Sequence, residues 1–286
     1  MTSDLHTGPL GAEVDYPQSY TPDLLFPMPR MEGRSAVDVM VSSWLGRDIW
    51  TGYEFSWLNV KGKPEVAGLQ IIVDASSSHI VESKSMKLYL NGYAQTRFAD
   101  ANQVHRQLQA DLSAAFGGQV QVHLVSLDHL AADMTAPRGL CLDSLDVTIV
   151  DYQRKPELLT LQASADSIPE GESTPVEEQL ISHLFRSLCP VTAQPDWASI
   201  FVHYRGPQIA HESLLAYLIS YREHQAFHET TIERIYADIW HRCKPEMLAV
   251  TGRFLRRGGL DINPSRVSSP EVLELLTAGD GRLARQ

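Results

Sequence analysis

An aromatic-rich stretch, Trp50-Thr-Gly-Tyr-Glu-Phe-Ser-Trp-Leu-Asn59, precedes a second mixed apolar stretch over 63–74. Gly62 between them predicts a β-hairpin. Amphipathic spacing then predicts helices over about 83–94 and 102–116, the second ended by Gly117-Gly118. Residues 119–127 alternate apolar and polar side chains as a half-buried strand does, and 145–153 reads as another strand. Ahead of these elements, Pro9, Pro17, Pro22, Pro27 and Pro29 forbid a long helix, so residues 1–45 are expected to form an extended arm.

Pro156, Pro169, Gly171 and Pro175, set among Ser, Asp and Glu, mark 155–175 as the connection to a second half. A helix is predicted behind it, with Thr174 as N-cap, Pro175 at its first position and Glu177 as the reciprocal cap. Its apolar face is Val176, Leu180, Ile181, Leu184, Phe185 and Leu188, and Pro190 stops it at Leu188. Cys189 then lies at the negative end of a helix dipole, which disfavours a thiolate. Next are expected a strand over 199–204 paired with the segment around Gln208, the turn falling at Gly206-Pro207. Helices over about 212–223 and 228–242 follow, Pro245 closing the second, and then a strand over 248–255. Each half thus reads as a hairpin, two helices and further strand. Setting Glu82-Ser83 against Glu212-Ser213, and Phe98 against Phe227, makes the halves an internal repeat. In that alignment Asn59, which is no nucleophile, stands where Cys189 stands in the second half.

Composition narrows the function. The chain has 286 residues, 43% hydrophobic and 21% charged, which fits one large or two ordinary globular domains. No apolar run reaches the length of a membrane span, and Met1 to Leu10 has no apolar core of a signal peptide. Three cysteines, Cys141, Cys189 and Cys243, without C-x-x-C spacing, fit free thiols in a reducing cytoplasm. A formal charge of −11, from 24 basic and 35 acidic residues, argues against direct binding of nucleic acid. The densest basic group, Arg253, Arg256 and Arg257, is enough for one phosphorylated small molecule, or is simply a solvated strand end. No G-x-G-x-x-G follows a strand, so a Rossmann domain is not expected. His224 and His228 lie four apart, but no second His at metalloprotease spacing and no cysteine pair completes a zinc site.

Longer motifs are more specific. Glu82-Ser-Lys-Ser-Met-Lys-Leu-Tyr89 resembles the signature of the NADPH-dependent 7-cyano-7-deazaguanine reductases of queuosine biosynthesis. Cys189-Pro-Val-Thr-Ala-Gln-Pro-Asp-Trp197, Phe227-His-Glu229, Arg256-Arg-Gly-Gly-Leu-Asp-Ile-Asn-Pro264 and Asp48-Ile-Trp-Thr-Gly-Tyr-Glu-Phe-Ser-Trp-Leu-Asn59 support it. The similarity covers nearly the whole chain, in its long two-module form, with no departure at a position the family uses. It implies an α+β tunnelling fold: two tandem ββααββ modules, 46–155 and 156–286, behind the arm, in a homodimer. It also implies reduction of a nitrile on a deazapurine base to a primary amine by two NADPH, at a zinc-free site.

The resemblance assigns roles that the chemistry supports. Cys189 is the nucleophile, since a thiolate adding to a nitrile splits one hard reduction into easier steps. A lone cysteine without that context is more often a small buried apolar residue. Asp196 passes the thiol proton to the developing imide nitrogen, and His228 assists later transfers; an aspartate after proline is otherwise a turn residue. Val81, Glu82, Ser83, His228 and Glu229 hold the base, the two carboxylates accepting its N–H and exocyclic amine. Glu82 also suits a helix N-terminus, and both roles are compatible. Ser83, Lys84, Arg257 and Gly258 are placed for NADPH, with Arg256 a weaker candidate. Two other readings stay open at this point: a thioimide-forming nitrile hydrolase or amidase, and an inactive base-binding module.

Overall fold

The computed structural model describes residues 16–17, 19–35, 37, 44–132, 134–162, 175–277 and 281–286. Thr174, much of the 155–175 connection and most of the arm lie outside them. The chain divides into two compact units. The first takes the chain up to Gly33, Arg47–Met134 and Arg256–Ile262; the second takes Arg34–Gly46, Thr135–Leu255 and Asn263–Gln286.

In the first unit, β1 (Pro27–Pro29) leads into the short helix α1 (Arg30–Arg34). The long hairpin of β2 (Leu45–Leu58) and β3 (Pro64–Asp74) follows, antiparallel, with Gly62 at a positive φ of 82° in the turn. β4 (His79–Val81) pairs with β1 and delivers the chain to α2 (Ser83–Asn91). α3 (Ala101–Phe116) is capped by the Asp100 carboxylate and ended by Gly117 in the left-handed region. β5 (Val120–Val125) adds to the open side of β3, and α4 (Leu127–Ala132) closes the run. Trp50, Phe55, Leu69, Ile71 and Val73 on the strands pack against Met86, Tyr89, Leu108 and Leu112 on the helices. The arm thus contains a three-residue strand and a one-turn helix, as well as the extended segments its prolines predict.

The second unit contains β6 (Leu140–Cys141), β7 (Val176–Leu188) and β8 (Pro195–Gly206), then α5 (His211–Ile219) and α6 (His228–Cys243). β9 (Met247–Phe254), β10 (Leu260–Val267, which starts within the first unit) and α7 (Pro270–Thr277) follow. β7, β8, β9 and β10 are successive antiparallel neighbours, and β6 runs parallel to β7. Phe185, Ile200, Val202 and Phe254 from the strands meet Leu214, Leu218, Ile232, Ile235 and Ile239 from α5 and α6. The order β7-β8-α5-α6-β9-β10 is the α+β, ββααββ order that the resemblance implies.

Four expectations are corrected. Residues 176–188 form a strand, not a helix. A β-bulge between Ser182 and Phe185 shifts the alternation by one residue, which makes the apolar spacing look helical. Glu177 is therefore no helix cap; its carboxylate lies 3.0 Å from His203 Nε2 across the β7–β8 ladder. Residues 145–153 belong to no strand among the described residues, though their burial alternates over 143–150. The segment around Gln208 makes only a single bridge, Ile209 to Leu161, while the true partners of β8 are β7 and β9.

The internal repeat is visible in shared detail, but in a different register. Tyr89 on α2 bonds to Asp111 on α3 and to Tyr93, in the turn after α2, its Oη lying 2.8 Å from both the Tyr93 hydroxyl and the carboxylate. Tyr217 and Tyr221 on α5 and its 3-10 extension meet Asp238 on α6 in the same way. Glu82 caps α2, and the residue in that place on α5 is Ala210, not Glu212, which is exposed. The Phe98 amide donates to the Leu58 carbonyl as the Ala226 amide donates to that of Leu188, so Phe98 matches Ala226 and not Phe227. Asn59 and Cys189 do correspond: each is the first residue after its long strand.

Candidate active site

Cys189 begins the β7–β8 turn. Its amide donates to the Gln194 carbonyl at 2.9 Å, and its own carbonyl accepts from the Ala193 amide at 3.0 Å. Ala193 takes a positive φ of 53°, the conformation Gly62 takes in the first half. Asn59 spends its side chain on its turn, accepting from the amides of Lys61 and Lys63, whereas Cys189 keeps a buried thiol. Cys189 follows a strand, so no helix dipole opposes its thiolate; that expectation falls with the predicted helix.

Asp196 faces Ser187 across the β7–β8 ladder. Continuing that register puts Cys189 on the same face as Asp196, as a diagonal neighbour. Asp196 is 4% exposed and Glu229 is 3% exposed. His228 opens α6 and its Nε2 lies 3.3 Å from Asp196 Oδ2. The imidazole stacks on Phe254, with centroids 3.9 Å apart and planes 5° from parallel, which fixes the ring. Its Nδ1 is buried and has no hydrogen-bond partner among the described residues. A ring held face-on by Phe254, with one nitrogen at a carboxylate, is of the kind that can pass a proton. Glu229 follows His228 in the first turn of α6, where the helix dipole favours an acidic residue. Arg186 and Arg222 lie over the ring of Trp197, next to Asp196, at 5.5 and 5.7 Å. Cys243, in contrast, is an inert thiol inside the core, where burial pushes it up to about 12.

His224 does not share a helix face with His228: it ends a 3-10 turn ahead of α6. Its carbonyl accepts from the Leu188 amide at 2.8 Å, which holds the strand end next to Cys189. Its Nε2 accepts from Arg234 Nη1 at 2.6 Å. Burial pushes the imidazole down to about 4, with Arg234 and Arg154 acting in the same direction. Between the free value of 6.5 and about 4, the unfolded chain takes a proton that the folded chain refuses. Stability is therefore expected to fall as pH drops through that window and to level off below it. From pH 7 to 5 the loss through this group is about 1–2 kcal/mol once solvent screening is allowed for. Denaturant midpoints at the two pH values measure it; in His224→Gln, which keeps an acceptor for Arg234, the difference should shrink.

The remaining candidates lie in the first unit. Val81 and Glu82 are 3% exposed, at the junction of β4 and α2. The Glu82 carboxylate caps α2, accepting from the amides of Lys84 at 2.5 Å and Ser85 at 2.8 Å. Ser83 Oγ adds a long third bond at 3.5 Å, and a carboxylate has about four lone-pair sites, so a cap can also take a base N–H. The chain is tied down here by a bond from the Glu82 amide to the Phe26 carbonyl at 3.0 Å. Ser83 and Lys84 open the helix, partly exposed.

Arg257 and Gly258 belong to a tight turn, the Arg257 amide donating to the Leu260 carbonyl at 2.8 Å. Gly258 and Gly259 have φ of 59° and 81°, a two-glycine turn open to L-residues only with strain. A Cβ on Gly258 would meet Cδ and Cε of Lys87 at 3.3 Å. Lys87 is thus the lysine beside the turn, and its place one helical turn after Ser83 was the available signal for it. Arg256 covers the Tyr53 ring at 4.6 Å, and the Tyr53 hydroxyl bonds to Asp261. Two cations beside exposed glycine backbone fit a phosphate-bearing cofactor.

Residues 16–124 match the family model described as "Nitrile reductase, 7-cyano-7-deazaguanine-reductase N-term", and residues 195–271 match that of a "QueF-like protein". A protein of Burkholderia orbicola named NADPH-dependent 7-cyano-7-deazaguanine reductase is 49% identical over 97% of this chain and 98% of its own. Proteins of the same name from Verminephrobacter eiseniae and Hydrogenovibrio crunogenus are 47% and 45% identical, covering 93% and 100% of this chain and 95% and 99% of theirs. A solved structure of an archaeosine synthase QueF-like protein in its apo form is 21% identical, with a TM-score of 0.29, covering 34% of this chain and 95% of that one. With relatives this similar along nearly its full length, the chain belongs to the NADPH-dependent 7-cyano-7-deazaguanine reductase family.

Proposed function

We propose that the chain reduces the nitrile of 7-cyano-7-deazaguanine to the aminomethyl group of 7-aminomethyl-7-deazaguanine, consuming two NADPH, as a step toward queuosine in tRNA. The observation that carries this reading is the set of Cys189, Asp196 and His228: a buried thiol on one face with a buried acid, and a locked imidazole 3.3 Å from that acid.

The Cys189 sulfur adds to the nitrile carbon. One π bond of the nitrile breaks, a C–S bond forms, and Asp196 moves the thiol proton to the nitrogen, leaving a neutral thioimide. NADPH, when bound, supplies the two hydrides, for which Ser83, Lys84, Lys87, Arg257 and the Gly258 backbone are the proposed holding groups. The Cys189 sulfur leaves between the two reductions, so the thiol is regenerated. His228 protonates nitrogen as the amine forms, its ring plane kept by Phe254. Glu229 and Glu82 accept the base N–H and exocyclic amine. A base with the opposite donor pattern would leave buried carboxylates unpaired and be rejected. Two modules, 46–155 and 156–286, are the units of the duplication, and a cytoplasmic homodimer is the working form.

Absorbance of NADPH, read against amine formed, tests the reaction. Two NADPH should be oxidised for each amine. Nitrile consumed with the NADPH band unchanged would instead mean that water or ammonia attacks the thioimide, and would overturn the reductase reading.

A further inference from the structure

Outside the proposed site, three groups of differing chemistry converge at the edge of the second unit. Cys141 ends the two-residue strand β6, Asp143 follows in the next turn, and His183 sits in the bulge of β7. One ligand atom from each lies within 4.8 Å of the other two. The thiol is exposed, and the carboxylate and imidazole are half-buried.

The groups are held in place. Ser199 Oγ lies 2.7 Å from His183 Nδ1, the kind of second hydrogen bond that orients a metal-binding imidazole. With Nδ1 engaged, Nε2 is the nitrogen left for a ligand. The Asp143 carboxylate accepts from Ser182 Oγ at 2.7 Å and from the His183 amide at 3.0 Å. Two donors do not exhaust its lone pairs. Arg285 donates to the His183 carbonyl at 2.7 Å.

We propose that Cys141, Asp143 and His183 bind one zinc-class divalent cation. Thiolate, imidazole and carboxylate together select a borderline-soft tetrahedral ion over calcium or magnesium, which take oxygen ligands. Tetrahedral zinc draws such atoms to about 3.5 Å from one another, a closure of about 1 Å that rotation of the exposed Cys141 side chain supplies. Binding forms a metal–sulfur bond and releases the thiol proton to solvent. Three protein ligands leave the fourth position to water. The ion's effect is mechanical. β6 touches β7 through only two residue pairs, and the chain beyond it inserts Leu142, Leu145 and Val147 into the core. A metal across β6 and β7 clips that segment down. The site involves neither Cys189 nor NADPH, so it stands or falls independently of the proposed reaction.

Cobalt(II) added to the full-length, chelator-treated protein under reducing conditions tests the proposal. The expected result is about one bound equivalent with a thiolate-to-cobalt charge-transfer band. Cys141→Ser should abolish the band, Ser199→Ala should weaken binding about 10-fold, and Cys189→Ala should keep it. Zinc should raise Tm of the native chain by about 5 °C and leave Cys141→Ser, which folds equally well without metal, unmoved. No charge-transfer band in the native protein, or a band that survives in Cys141→Ser, would overturn it.

Discussion

Cys189→Ala is expected to lower turnover at least about 1000-fold, because the variant must deliver hydride to an unactivated nitrile. Base binding should be nearly unchanged, since the carboxylates that hold the base are intact. The physical basis is local. The thiol stands at the end of β7, presented by the turn that closes on Gln194, and no other thiol of the second unit is placed to replace it. Cys243 is locked in the core with its proton, and Cys141 is exposed on the edge strand β6. Steady-state kcat beside the Kd for the nitrile base checks this. A variant that keeps even a tenth of the native kcat would remove Cys189 from the chemistry.

Glu233→Met should cost about 3–5 kcal/mol of stability, since it removes the one carboxylate oxygen that two guanidinium groups share. Glu233 is 2% exposed and Arg266 is fully buried. Arg34 Nη2 donates to Glu233 Oε1 at 2.7 Å and Arg266 Nη2 donates to the same oxygen at 2.8 Å. With native stabilities of roughly 5–15 kcal/mol, this is a large share of the whole. Because Glu233 lies one turn beyond Glu229 on α6, the loss also loosens the helix start that carries His228. Denaturant unfolding measures it, and Arg266→Met in the same chain should recover part of the loss by removing one of the two charges that Glu233 balances. A Glu233→Met chain that unfolds at the native midpoint would contradict the account.

How much of this was legible follows from the same contacts. The first hairpin, α2, α3 and α6 were readable because their periodicity is unbroken and their ends carry ordinary signals, such as Gly117 after α3. β7 was not, because the bulge at Ser182–Phe185 imitates helical spacing, and the Pro175–Glu177 signal lay ahead of a strand. β10 was invisible for another reason: all eight of its residues are buried, polar and apolar alike, so nothing alternates. Its polar side chains have partners from distant sequence: Asn263 accepts from the Phe254 amide and Gln286, Ser265 meets Thr251, and Arg266 meets Glu233. Residues 145–153 show the limit of alternation, which reports a half-buried segment but not a pairing partner. Within the candidate site, the long motifs mark Cys189, Asp196, His228 and Glu229, while the places of Phe254, His224 and Lys87 come from packing. The sequence carries a signal for two of these, Lys87 one turn from Ser83 and His224 four residues before His228, but not their roles: His224 serves the strand end beside Cys189.

The central claim is a covalent bond from sulfur to the nitrile carbon ahead of any hydride. Intact-protein mass after mixing with 7-cyano-7-deazaguanine, with NADPH withheld, tests it most directly. The native chain should gain the full mass of one base per chain, and adding NADPH should discharge it with release of the amine. A mass that never changes, or a gain that persists in Cys189→Ala, would contradict the claim.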